Sequence, residues 1–204
     1  KLYRKILAES DDKITIISVG FLTNLGNLIM SQPDEFSDLG GQDLVNEKVE
    51  QWVCMGGVFP SGREFNIEKD SMKSKIAIDA WPTPIVFTGG EIGSKVKTGL
   101  RLVNNDDLKN SPVKDVYKIG MSRSEDDRLG RMSWDQTAVL IAIEGSGPWF
   151  EAKSGKFISS KDGSNSWLND ENNGVHKHVL FQQTPEEVAN YIEIKMMHKP
   201  TTPN

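Results

Sequence analysis

The residues best suited to chemistry fall in one stretch, Val53-Cys54-Met55-Gly56-Gly57-Val58-Phe59-Pro60-Ser61-Gly62-Arg63-Glu64-Phe65-Asn66. There an apolar run gives way to a glycine-rich loop that delivers Glu64 and Asn66 just before a helical segment. A carboxylate accepts hydrogen bonds and a carboxamide both donates and accepts, so this pair can grip adjacent hydroxyls of a sugar from one cleft. The spacing leaves a plainer reading open, in which Asn66 caps the helix and Glu64 is solvated. Trp134-Asp135 is a second candidate, a carboxylate opening an apolar run, and a helix N-cap is the competing role for Asp135.

Other candidates carry less. Cys54 lies in an apolar run and reads as a buried, inert thiol, and as the only cysteine it has no intrachain disulfide partner. His176 and His178 share a strand face, yet no cysteine or acidic residue is spaced to complete a zinc site, and an exposed strand accounts for them. Gly89-Gly90-Glu91-Ile92-Gly93 lacks the lysine and serine of a P-loop and reads as a turn. The pairs Asp11-Asp12, Asp106-Asp107 and Asp126-Asp127 sit in polar segments without a preceding buried strand and read as exposed turns.

Positioning these side chains requires an alternation of strands and helices. Residues 14–20 are β-branched and closed by glycine, as a strand buried on both faces requires, and residues 23–30 follow with capping residues and an apolar helical face. Val53 to Met55 repeat the strand, residues 66–80 form a helical segment ended by Pro82 and Pro84, and residues 85–88 make a third strand. The pattern predicts an α/β fold with a mostly parallel sheet flanked by helices. Residues 135–144 are apolar all round, and a buried helix is the preferred reading. Residues 150–168 suggest hairpins peripheral to, and outside, the main sheet. Thr184-Pro185-Glu186-Glu187 opens a last helix, with proline at its first position and glutamate three residues after the cap. Residues 1–199 read as one α/β domain and 200–204 as a frayed tail.

Composition narrows the function. The chain has 204 residues, 37% of them hydrophobic and 26% charged, the balance of an ordinary soluble globular protein. A net charge of -5 argues against broad binding to nucleic acid or anionic membranes and leaves small neutral ligands open. No apolar stretch approaches the roughly 20 residues that span a bilayer. The compartment is not legible, and a homo-oligomer remains open.

Three motifs together resemble the inosine-uridine-preferring nucleoside hydrolase family. Gly20-Phe21-Leu22-Thr23-Asn24-Leu25 is similar to its strand-end motif, Met55-Gly56-Gly57 followed by Glu64-Phe65-Asn66 resembles its second motif, and Trp134-Asp135 stands where the family has histidine-aspartate before a helix. The resemblance runs to about Ile143. It implies calcium-dependent hydrolysis of the N-glycosidic bond of a ribonucleoside to ribose and free base. Thr23 would offer its main-chain oxygen to calcium and Asp135 its carboxylate, Asp135 doubling as the catalytic group. Glu64 and Asn66 would bind ribose hydroxyls, Met55 would line the sugar pocket, and Trp134 would stack on the nucleobase.

Two departures weaken the enzymatic reading. Trp134 replaces a histidine and cannot serve as an acid at neutral pH. The aspartate-rich cluster of the family's first strand is absent, and residues 1–8 resemble a helix from well inside the family's domain, so the expectation is a chain lacking the N-terminal strands. The alternative is a catalytically inactive homologue that binds a nucleoside or sugar; a different glycoside substrate is a third reading.

Overall fold

The β-branched residues 14–20 do make a strand, Ile14–Ser18 (β1), preceded by the helix Leu2–Glu9 (α1). The computed structural model describes residues 1–172 and 174–199; the tail expected at 200–204 lies outside the described residues. In chain order there follow Thr23–Ile29 (α2), Gly41–Lys48 (α3), Val49–Met55 (β2), Ser61–Arg63 (β3), Phe65–Glu68 (α4), Ser71–Ala80 (α5), Ile85–Thr88 (β4) and Gly90–Gly93 (α6). The second half contains Lys97–Thr98 (β5), Leu100–Val103 (α7), Pro112–Met121 (α8), Arg131–Met132 (β6), Trp134–Glu144 (α9), Phe150–Ser159 (β7), Ser164–Asn169 (β8), His176–Phe181 (β9) and Pro185–Met196 (α10).

Seven strands form the main sheet in the order β1-β2-β4-β9-β7-β8-β3. The first four run parallel. Helices cover both faces, and the strand period of two decides which side chain meets which layer. On β2, Trp52 and Cys54 face the layer holding Leu25, Leu44 and Ile78, whereas Val53 and Met55 face the layer holding Ala138, Ile141, Val188 and Ile192. Phe87 and Val86 divide in the same way on β4. The buried helix read for 135–144 is α9, and the capping box of the last helix is present, Thr184 and Glu187 each bonding the other's backbone.

Four expectations need correction. The hairpin β7-β8 is present beyond the parallel strands, but it lies inside the main sheet: β7 pairs antiparallel with β9, and β8 with β3. An alternating pattern records which face is covered and says nothing about which strand lies beside it. The helical segment 66–80 is two helices, because Asp70 adopts a non-helical conformation and caps a new start by accepting from the Lys73 amide. The segment 89–93 contains a single helical turn, α6. Asp127 is buried, since the Arg131 guanidinium reaches it at 2.7 Å and supplies the opposite charge that burial demands.

Gly26 sets the approach of α2 to α5. A Cβ at this position would lie 2.7 Å from the carbonyl oxygen of Lys73, a backbone atom that cannot swing aside. Gly26→Ala is expected to cost about 1–3 kcal/mol, the usual penalty for overpacking. Gly20→Ala, whose Cβ would meet nothing within 4 Å, is the control and should change stability by less than about 1 kcal/mol. Urea denaturation of the two variants checks it.

Candidate functional site

Where β2 ends, its backbone can no longer pair with both neighbours, and the Asn66 side chain takes over. The Asn66 carboxamide nitrogen donates to the Met55 carbonyl at 3.2 Å and lies 3.1 Å from the Met55 sulfur. Glu64 turns back onto its own chain: both carboxylate oxygens accept from the Asn66 amide at 3.0 Å, and Oε2 also accepts from the Ile67 amide at 3.2 Å. This reverses the plainer sequence reading, since Glu64 caps α4 and Asn66 ties that helix to the strand end. Both side chains are buried.

The loop between β2 and β3 is fixed from far away in sequence. Gly57 has φ of 81°, and a Cβ there would sit 2.6 Å from the Phe157 ring, so glycine is needed both for the backbone conformation and for the close approach. Its carbonyl accepts from the Gly90 amide at 2.8 Å, and the Gly90 carbonyl in turn accepts from the Trp134 indole at 2.9 Å. The Asn165 side chain, on β8, exchanges two hydrogen bonds with the Val58 backbone, at 3.0 and 2.8 Å.

These contacts enclose a cleft of about 440 Å³ beyond the C-terminal end of β2, a size suited to a small ligand. Its lining brings together Met55, Glu64, Asn66, Trp134 and Asp135, which the sequence singles out, with Arg63 and Phe65, which it passes over. Thr23 is not on the lining; its hydroxyl donates to Asp70 at 2.5 Å and so helps join α2 to α5. Arg63 is held through bonds of 2.7 and 2.6 Å to the Asp162 carbonyl and carboxylate. Phe65 is exposed and lies 5.5 Å from the exposed ring of Phe21, an aromatic pair beside the cleft. Both sit within or next to the quoted motifs, so an exposed aromatic flanked by the polar pair was the available signal.

Burial pushes the Glu64 carboxyl above its ordinary value, opposed by the amides of Asn66 and Ile67. Partial desolvation also raises Asp135, and the Arg131 charge opposes it. Asp135 is the second residue of α9, following Ser133 at the N-cap, so the cap role is not its own. Behind the cleft, burial raises Glu91, which accepts from the Phe59 amide at 3.4 Å. The reading of Cys54 stands, because burial raises its thiol to about 12, far from the thiolate form. His176 and His178 are buried within the sheet instead of exposed, and His178 stacks on Phe59 at 4.5 Å.

Among the described residues no three His, Cys, Asp or Glu side chains converge as a metal site. Calcium takes roughly six to eight oxygens. Thr23 and Asp135 fall well short of that number, so the described residues do not by themselves fit the ion.

No family model and no curated protein matches the sequence. Solved structures do. The chain is similar to the type III effector protein XopQ complexed with adenosine diphosphate ribose, at a TM-score of 0.68 and 15% identity over 97% of this chain and 63% of that one. A plant nucleoside hydrolase gives 0.66 and 19% identity over 97% and 66%, respectively. The inosine-uridine preferring nucleoside hydrolase from Bacillus anthracis gives 0.65 and 12% over 96% and 64%. At these identities the likeness is one of fold, and the chain spans just under two thirds of each neighbour's length.

The buried Glu64 carboxyl makes stability depend on pH in a definite direction. Its folded pKa lies above the ordinary 4.5, so its contribution is fullest below that value and declines as pH rises through the folded pKa. The stability of the wild type relative to Glu64→Gln is therefore expected to fall as pH rises from about 4 to 7. Urea titrations at several pH values measure it, and a constant difference would contradict the assignment.

Proposed function

We propose that the cleft at the end of β2 binds a ribosyl group and that its chemistry is calcium-dependent hydrolysis of the N-glycosidic bond of a ribonucleoside. The observation that carries the binding reading is the convergence of Glu64, Asn66, Met55, Trp134 and Asp135 on one cleft at the carboxyl end of a parallel strand, where ligands of α/β sheets collect. The Glu64 carboxyl lies on the lining as an acceptor, with the Asn66 and Ile67 amides bonded to it. The Asn66 carboxamide oxygen is a second acceptor beside it. Arg63 and Phe65 add a cation and an aromatic face suited to the remainder of a riboside, which fits a fold shared with nucleoside hydrolases and with a protein complexed with adenosine diphosphate ribose.

For hydrolysis, Asp135 is the carboxylate placed to accept a proton from water, and partial desolvation raises its basicity. The departing base would lie against Trp134 and Phe65. Trp134 spends its indole N–H on the Gly90 carbonyl and presents only a ring surface. Calcium at Thr23 and Asp135 would need further oxygens from the ligand and from water. A second reading, riboside binding without turnover, is favoured by the Glu64 carboxylate being committed to its own helix end.

Calorimetric titration with inosine, uridine and adenosine diphosphate ribose, with and without calcium, tests the binding. Asn66→Ala is expected to weaken it about tenfold or more, the loss of roughly 1.4 kcal/mol. Asp135→Asn should abolish ribose release from nucleosides while changing affinity by a smaller factor. Wild-type affinity in Asn66→Ala would remove the cleft assignment, and riboside binding without ribose release would leave the second reading.

A further inference from the structure

Of the eight phenylalanines in the chain, only Phe21 and Phe65 are exposed, at 52% and 59%, and they are the two whose rings meet at the cleft, tilted by 54°. They come from different loops. Phe21 stands in the turn from β1 to α2, and Phe65 opens α4 after β2 and β3. Because β1 and β2 are neighbouring parallel strands, both loops rise from the same end of the sheet. Each loop is anchored by the residue next to its phenylalanine: Leu22 is fully buried, and Asn66 is buried and tied to the Met55 carbonyl. Single exposed apolar side chains are ordinary on a protein surface. Two rings brought together from separate loops at the mouth of a cleft, each held by a buried neighbour and left uncovered, make a preformed contact surface for a flat apolar group.

The two rings differ in their relation to the cleft. Phe65 is on its lining together with Val19 and Val58, whereas Phe21 is not and adjoins the cleft from outside, 5.5 Å from Phe65 between ring centres. The Lys69 ammonium lies 4.9 Å from the Phe65 ring centre but is not on the lining, so the surface that Phe65 turns to the cleft stays free. A base with one six-membered ring matches Phe65 in size. The fused second ring of a purine extends the flat surface past the edge of Phe65, and the next apolar surface there is Phe21. Resting on the reading of the cleft as a ribosyl site, we propose that Phe21 is a specificity-determining residue, which contacts the second ring of the base and makes the site prefer purine ribosides to pyrimidine ribosides. Phe21 takes no part in gripping the sugar, so its effect falls on the choice of base alone. One aromatic contact of this kind corresponds to roughly a 3- to 10-fold change in affinity.

The test is calorimetric titration of the full chain with inosine, uridine and methyl β-riboside, the last carrying the ribosyl group without a base. The wild type should bind inosine roughly 3- to 10-fold more tightly than uridine. Phe21→Ala should remove that difference while changing the affinity for uridine and for the methyl riboside by less than about twofold, and Phe21→Tyr, which keeps the ring, should retain it. The exposed position makes both variants as stable as the wild type, which thermal denaturation verifies. Equal affinity of the wild type for inosine and uridine, a purine preference that survives in Phe21→Ala, or a loss shared equally by all three ligands would overturn the proposal. Any of these with the methyl riboside still bound by the wild type would leave the ribosyl reading of the cleft in place, whereas failure of all three ligands to bind would remove both.

Discussion

The hydrogen bond from the Asn66 side chain to the Met55 carbonyl is the constraint around which the candidate site is arranged. A parallel strand buried on both sides must satisfy its last carbonyl once the ladder ends, because an unpaired buried acceptor costs about 1–3 kcal/mol. Supplying that donor from the second residue of α4 pulls the helix start against the end of β2, and Glu64, two residues earlier, closes the helix start by accepting the Asn66 and Ile67 amides. The side chains proposed to meet a ligand are therefore also the ones that hold this junction together. The polarity of the cleft follows from finishing a strand and starting a helix within a dozen residues.

Much of this frame was legible in the sequence because its signals are local. The β-branched runs became β1, β2 and β4, Thr184 and Glu187 became a capping box, and Gly56-Gly57 marked the end of a strand. What stayed illegible depends on partners distant along the chain. Asn165 reads as one more polar residue in an alternating stretch, yet it fixes Val58, 107 positions earlier. Asp127 looks like an exposed acidic turn until Arg131 is placed against it. His176 and His178 look like a solvent-facing alternation until β9 is seen to lie between β4 and β7. The roles of Glu64 and Asn66 were reversed for a related reason: both types cap helices, and only the nearby Met55 carbonyl decides which one does.

The sheet's change of direction links these points. From β1 to β9 the strands run parallel, and the cleft lies at the carboxyl ends of β1, β2 and β4; from β9 onward the hairpin β7-β8 and then β3 run antiparallel. A purely parallel sheet would leave the loop after β2 anchored at its two ends alone. Here β3 pairs with β8, and Arg63 reaches Asp162 in the turn between β7 and β8, so the loop that delivers Glu64 is held along its length. The hairpin that local pattern sets apart from the sheet is what makes the cleft rigid, and rigid placement is what a binding or catalytic pair requires.

The same change of direction gives the two ends of the sheet different surroundings. Glu64, Glu91 and Asp135 lie toward the carboxyl ends of the parallel strands, and desolvation raises all three carboxyl groups. At the other end, β7 and β9 bring the buried Phe157 and His176 beside the close of α5. Burial lowers His176 while it raises the carboxylates, since desolvation disfavours charge of either sign. The strand β4 runs between the two ends, with Thr88 paired with Met55 at one and Ile85 with His176 at the other, so the register of one short strand fixes the spacing of both.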